Sequence, residues 1–138
     1  MPDDVLRVKA VRMRRATEQA RNYMAGRAWN DVDFMVQDGV AVNLQRACEC
    51  AMDGALRWVR SLKSAMVTDR REAILLLERA GIVPRDLAAR LTRMVAFRNT
   101  LVHTDDRVDP VVVQLVLDEG LDDLLQFADL MEAAAVQS

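Results

Sequence analysis

The chain has a single histidine, His103, and only two cysteines, five glycines and three prolines among 138 residues. Each shortage closes a route. A structural or catalytic zinc site needs three or four Cys and His ligands, and one His with Cys48 and Cys50 cannot supply them. The two cysteines stand at i and i+2, so on a helix they point apart and form neither a C-x-x-C redox pair nor a disulfide framework. Free thiols fit a reducing, cytoplasmic setting. The glycines are scattered, and none forms a G-x-G-x-x-G or G-x-x-x-x-G-K phosphate loop. There is also no G-x-S-x-G nucleophile elbow. No apolar run approaches the roughly 18 residues a membrane span requires, and MPDDVLRVKA, acidic from its third residue, does not read as a secretory signal. Nor is there a bulk excess of positive charge, since the formal net charge is −2.

What is present points to helices packed on helices. Aromatics make up 4% of the chain while hydrophobic residues make up 51%, and Leu, Ala, Val and Met dominate them. Charge is uneven. Residues 1–71 hold 13 Lys/Arg against 9 Asp/Glu, a net of +4, and residues 72–138 hold 6 against 12, a net of −6. Any phosphate-binding surface must therefore be local. The acidic pairs Asp105-Asp106 and Asp122-Asp123 read as solvated charge rather than magnesium ligands.

Apolar spacing divides the chain into helices. Residues 5–26 carry the stripe Leu6, Ala10, Met13, Ala20 and Met24, with Lys9, Arg12, Arg14, Arg15 and Arg21 over much of the remaining surface and Gly26 as a stop. Residues 31–63 repeat Ala41, Leu44, Cys48, Ala51, Ala55, Trp58 and Leu62 in steps of three and four, a helix–helix seam whose small residues admit a close neighbour. Phe34 and Met35 extend its apolar run, with Asn30 or Asp31 as cap. Residues 69–80 form a short helix, with Asp69 and Glu72 as a capping box, Leu75, Leu76 and Leu77 on its buried side, and Gly81 as terminator. Pro84 precedes a helix over 85–102, striped by Leu87, Leu91, Met94, Val95, Leu101 and Val102. Asp109-Pro110 caps a last helix ending near Ala135, with Leu117, Leu121, Leu124, Ala128 and Met131 inward. The β-branched run VVVQLVL (111–117) also permits a strand. The whole reads as one domain over residues 1–138, an all-α antiparallel bundle of four to five helices.

The lone histidine stands in FRNTLVHTDD, residues 97–106, where the fourth helix ends. Asn99 and His103, four apart, share a helix face, so Asn99 is able to orient the imidazole. Arg98, five residues back, lies about 140° around the axis, yet its long side chain can reach a phosphate shared with His103. A histidine near a helix C-terminus is biased towards its charged form. The plain alternative is a histidine that caps carbonyls beside a solvated arginine.

The sequence Arg98-Asn99-Thr100-Leu101-Val102-His103 resembles the signature of HepT-like proteins of the HEPN superfamily, R-x4–6-H, commonly written RN-x-LVH followed by x-Y. The likeness covers roughly residues 30–135: an acidic segment at 31–38, a long helix containing Asn-Leu-Gln (43–45), a short helix ending in Gly-Ile (81–82), LTRMVAFRN before the motif and VDP (108–110) after it. It implies a HEPN-like bundle that forms a homodimer, with the motif residues of both copies lining one cleft. Active relatives are metal-independent endoribonucleases, often toxins paired with a minimal nucleotidyltransferase (MNT-type) antitoxin. On that resemblance Arg98 and His103 are catalytic, acting on RNA without a cofactor or metal. Arg98 stabilises charge on the phosphate, His103 moves a proton, and Asn99 orients His103 or binds phosphate. A two-fold axis turns one histidine into an acid and a base. The seam over 41–62 is the sequence's own candidate for the dimer face.

The chain departs from the pattern at one place. The family tyrosine, which receives AMP from the antitoxin enzyme, is replaced: the motif continues Thr104-Asp105, and the only tyrosine is Tyr23. Asp105 adds negative charge beside a phosphate site, so Thr104 and Asp105 stand as modulators. The alternative reading is a weak or inactive HEPN dimer that serves as a binding partner of a nucleotidyltransferase.

Overall fold

The computed structural model describes residues 3–62, 67–102 and 109–137, with backbone alone at 100–102. Among them there are helices and no strands. They are α1 (Asp4–Met24), a 3-10 turn (Trp29–Asp31), α2 (Phe34–Ser61), α3 (Arg70–Arg79), α4 (Arg85–Val102), and a last helical run in which α5 (Pro110–Leu115) passes through a π turn (Val116–Gly120) into α6 (Leu121–Gln137). The strand allowed for 111–117 is thus helix.

Helix ends follow side-chain caps. Asp3 accepts from Leu6 N at 3.0 Å, Asp33 from Val36 N at 3.0 Å and Asp109 from Val111 N at 2.9 Å, each quenching a first-turn N–H that has no intrahelical acceptor. The cap of α2 is therefore Asp33, not Asn30 or Asp31; the intervening residues are spent on the 3-10 turn, which seats Trp29 in the core. Asp69 caps α3 through Arg71 N at 2.9 Å, two residues on, rather than through a capping box with Glu72. Helix α1 ends at Met24, two residues before the expected glycine. Ala25 turns left-handed at φ 49° and Gly26 follows at φ 77°, while Gly81 ends α3 at φ 74°, as its lack of a Cβ favours.

Two contacts set the antiparallel register of α1 on α2: Lys9 meets Asp53 at one end, and the Tyr23 ring lies 3.3 Å from where a Gly39 Cβ would stand at the other. Leu44, Cys48, Ala51, Ala55 and Trp58 are buried within the single chain. Their neighbours belong to the same molecule, with Cys48 meeting the Met94 carbonyl of α4 and Trp58 meeting α6, so these buried residues of the seam offer no face to a second copy. Met131 of α6 closes over the same place, its methyl 2.1 Å from where a Cβ on Gly54 would fall. Trp58 and Phe127 stack with centroids 6.2 Å apart; truncating Phe127 to Ala would cost about 3–5 kcal/mol.

The stripes of α1, α4 and α6 face the core as spaced, apart from the half-buried Leu117 and from Leu101 and Val102, whose side chains lie outside the description. Three assignments move. Phe34 and Met35 are over 80% exposed, because they lie off the face of α2 buried by Val40, Leu44 and Ala47; in that turn it is Val36 and Gln37 that are half-buried. Leu62 ends exposed just past the last turn. In α3 the buried face is Ala73, Ile74 and Leu77, while Leu75 is 41% exposed; three consecutive residues span most of a helical turn and cannot all face inward. The opposing charges of the two halves meet on α1 and α6, where Arg14 contacts Asp129 and Glu132 and Arg21 contacts Asp122.

Candidate active site

Helix α4 is fixed from both sides before it delivers the motif. Leu87, Leu91, Met94 and Val95 bury it, Arg90 pairs with Asp123 at 2.9 Å, and Met94 packs over Gly120 in the π turn. Asp123 is only 9% exposed, so it is a buried ion-pair partner rather than the solvated charge its doublet with Asp122 suggests. Arg98 and Asn99 lie on the last turns of this anchored helix. His103, Thr104 and Asp105 lie outside the described residues.

Arg98 is half-buried against α2. One terminal nitrogen, Nη2, pairs with Glu49 Oε1, and the other, Nη1, donates to Asn99 Oδ1 at 3.2 Å. The guanidinium is thus held by Glu49 and Asn99, and its buried Nε–H has no acceptor among the described residues. Asn99 is exposed. Its carbonyl oxygen is engaged by Arg98, and its amide N–H groups are the part left to meet His103 or a substrate.

Glu49 is shared. Its second oxygen, Oε2, accepts from Arg70 of α3 at 2.7 Å. Arg70 also donates to Asp53 Oδ1 at 2.9 Å, and Asp53 Oδ2 lies 3.5 Å from Lys9 Nζ. The result is an alternating ladder, Lys9–Asp53–Arg70–Glu49–Arg98, tying α1, α2, α3 and α4 together at the candidate site. The hydrogen bonds from Arg70, to Glu49 first and Asp53 second, push its already high pKa further up. A hollow of about 450 Å³ beyond the ladder exposes Arg70, Arg71, Arg98 and Asn99 to one space.

Neither thiol is poised as a nucleophile. Burial pushes the Cys48 thiol up to about 12, Arg98 pulling it down and Glu49 raising it again, and burial also raises Cys50. Both cysteines are free. Among the described residues no three His, Cys, Asp or Glu side chains converge as metal ligands would, and no helix is long and apolar enough to cross a membrane.

Glu49 and Arg70 are the site residues that sequence reasoning missed. The available signal was Glu49 with Asp53 at i and i+4, two carboxylates on one face of α2, where like charges repel unless a cation lies between them.

Comparison with known proteins extends the likeness along the chain. The family model described as Ribonuclease HepT-like matches residues 13–131. The mRNA nuclease HepT of Shewanella oneidensis is 28% identical over 131 residues, covering 95% of this chain and 98% of that protein. A candidate RNase of Archaeoglobus fulgidus is 34% identical over 94 residues, or 68% of this chain and 70% of its own. Among solved structures, a tri-AMPylated Shewanella oneidensis HEPN toxin in complex with an MNT antitoxin superposes with a TM-score of 0.86 at 27% identity, over 95% of this chain and 98% of that one. A toxin–antitoxin complex with AMP-PNP matches with the same score and identity.

Proposed function

The chain belongs to the HepT-like ribonuclease family, and from that premise we propose that it is the endoribonuclease toxin of a toxin–antitoxin pair, cutting RNA at a site built from Arg98, Asn99 and His103. The observation that carries the reading is the Arg98 guanidinium, held by Glu49 and Asn99 with its buried Nε unpartnered, five residues before the only histidine.

In this reading the ribose 2′-oxygen attacks the adjacent phosphorus and the bond from phosphorus to the 5′-oxygen breaks. The products are a 2′,3′-cyclic phosphate and a 5′-hydroxyl. One His103 takes the proton of the 2′-hydroxyl, and the partner subunit's His103 gives a proton to the departing 5′-oxygen. Arg98 stabilises the charge that builds on the phosphate oxygens. No metal or cofactor enters any step. The homodimer that supplies two histidines is part of the proposal, and its face lies elsewhere than the buried residues of the α2 seam. The partner is an MNT-type nucleotidyltransferase, the kind of antitoxin bound to the solved Shewanella toxin, and the compartment is the cytoplasm.

The test is cleavage of a long RNA by the purified protein with EDTA present, comparing wild type, Arg98→Ala and His103→Ala, with the ends of the products identified. Cleavage confined to the wild type and 2′,3′-cyclic ends are expected. Cleavage that EDTA abolishes and magnesium restores would overturn the mechanism.

A further inference from the structure

Next to the ladder, α1 and α2 leave between them a groove of about 490 Å³ that runs from Arg98 past Glu49 and Arg46 to Asn43. Five cations line it, Lys9, Arg12, Arg15, Arg46 and Arg98, against two carboxylates, Glu49 and Asp53. Both carboxylates are already committed within the ladder, as are Lys9 and Arg98. Arg12, Arg15 and Arg46 are exposed, and among the described residues they form no ion pair. Arg12 and Arg15 differ in this from Arg14 and Arg21 on the same helix, whose charges acids of α6 answer.

A second observation points to a ligand. Asn43 lines the groove and is only 4% exposed. Its Nδ2 donates to Gly39 O at 2.8 Å, which fixes the amide's orientation, and its Oδ1 is buried with no partner among the described residues. A buried acceptor left empty is costly, and a residue that carries one while lining a cationic groove suits a ligand with both phosphates and O–H or N–H donors. A polynucleotide has both, repeated along one strand.

Resting on the ribonuclease reading, we propose that this groove seats the RNA strand beside the bond that is cut. Arg12, Arg15 and Arg46 take successive backbone phosphates, and Asn43 Oδ1 accepts from a ribose 2′-hydroxyl or a base amino group. From the level of Lys9 to that of Tyr23 the interhelical track is about 21 Å at 1.5 Å per residue, enough for several nucleotides. The groove supplies affinity and register, while Arg98 and His103 supply the chemistry.

The experiment compares Arg12→Gln/Arg15→Gln/Arg46→Gln with the parent. Binding of a labelled single-stranded RNA is followed by fluorescence anisotropy in a His103→Ala background, so that nothing is cut, and cleavage is followed with His103 intact. Each phosphate contact to a single strand contributes about 0.7 to the slope of log affinity against log salt. The triple variant should lose about 2 from that slope and about a hundredfold in affinity at 0.1 M salt. On long RNA its KM should rise while kcat holds, and on a dinucleotide too short to reach the groove it should match the parent.

An unchanged slope and unchanged KM in a parent that cuts RNA would overturn the groove and leave the nuclease standing. A parent that neither binds nor cuts RNA would overturn both readings. Weakened capture of the nucleotidyltransferase with RNA affinity intact would assign the groove to a protein and overturn the proposal. Asn43→Ala, with its melting temperature checked, should lower RNA affinity. Lower affinity for DNA of the same sequence as well identifies a base amino group, RNA alone the 2′-hydroxyl, and no change for either overturns the assignment of Asn43. If the triple variant does not fold, the groove is probed in His103→Ala alone: saturating RNA should slow alkylation of Cys50, which lines it, and an unchanged rate would count against the proposal.

Discussion

Glu49, in the middle of α2, grips the guanidinium of Arg98 near the end of α4, and the same carboxylate holds Arg70 at 2.7 Å. A negative charge thus lies against the cation that the proposed chemistry uses on a phosphate. The arrangement trades raw attraction for position. Arg98 cannot swing freely, and the presence of Arg70 keeps Glu49 from cancelling it.

Glu49→Gln separates those two effects. Removing the charge should leave RNA binding at low salt equal or tighter, because the surface gains net positive charge, while kcat falls about tenfold as Arg98 loses its fixed geometry. Stability should drop by about 1 kcal/mol, the modest figure expected of a partly exposed network. Single-turnover cleavage alongside anisotropy checks this; a parallel fall in kcat and affinity would assign Glu49 a merely structural role.

At Arg98 itself the conservative change should fail. Lysine carries the charge but not the fork that meets Glu49 and Asn99 and still leaves Nε for an acceptor. Arg98→Lys should cut RNA at least 100-fold more slowly than wild type, an estimate typical of losing one preorganised donor at a developing charge. Initial rates on a long RNA decide it.

The Cys48 thiol makes a prediction in pH. Its pKa rises from an ordinary 9.0 to about 12 because burial penalises the thiolate. Below pH 9 the thiol is protonated in folded and unfolded chains alike and stability is unaffected. Between 9 and 12 the unfolded chain releases the proton and the folded one does not, so stability falls as pH rises. Urea unfolding at pH 7.5 and pH 10.5 should show this loss, and Cys48→Ala should show less of it, starting about 1 kcal/mol lower from the lost contacts.

Gly120→Ala tests the π turn. Glycine to alanine inside a helix ordinarily gains about 0.5–1 kcal/mol. Here the new Cβ would fall 2.4 Å from Met94 Cε, and Met94 is itself buried, so a net loss of about 1 kcal/mol is expected. Met94→Leu should give part of it back in a double-mutant cycle by thermal melting.

Asp105 bears on inhibition. A carboxylate is no hydroxyl nucleophile, and its AMP adduct would be a labile mixed anhydride. Thr104 has a hydroxyl but lies one residue nearer His103, about 100° away around the axis if helical. Co-expression with the nucleotidyltransferase should therefore yield no stable AMP on residues 98–107 by intact-mass and peptide mapping, with neutralisation by complex formation. Asp105→Tyr should make the chain a substrate. A stable adduct on the natural sequence that abolishes cleavage would refute the prediction.

Periodicity made the bundle legible because stripes such as Leu6, Ala10 and Met13, or Leu121, Leu124 and Ala128, record burial directly. The motif singled out Arg98 as a candidate from local sequence alone. What stayed hidden was set by partners distant in sequence. Glu49 and Arg70 are 21 residues apart, beyond any local charge rule. Asp123 looks like half of a solvated doublet until Arg90 arrives from another helix.

The π turn at Val116–Gly120 has a consequence for how this chain compares with its relatives. A π turn is a one-residue insertion absorbed without breaking a helix. It shifts the phase of α5 against α6 by about 100°, and in the phase it leaves, Val113 is buried and Gln114 meets Trp29 N at 2.8 Å. A relative with an unbroken α-helix here would align to this chain with a single-residue gap in mid-helix. Such a gap would mark the gain or loss of one amino acid in descent, and every position from Asp109 to Leu115 would have to be matched one place over to compare like with like.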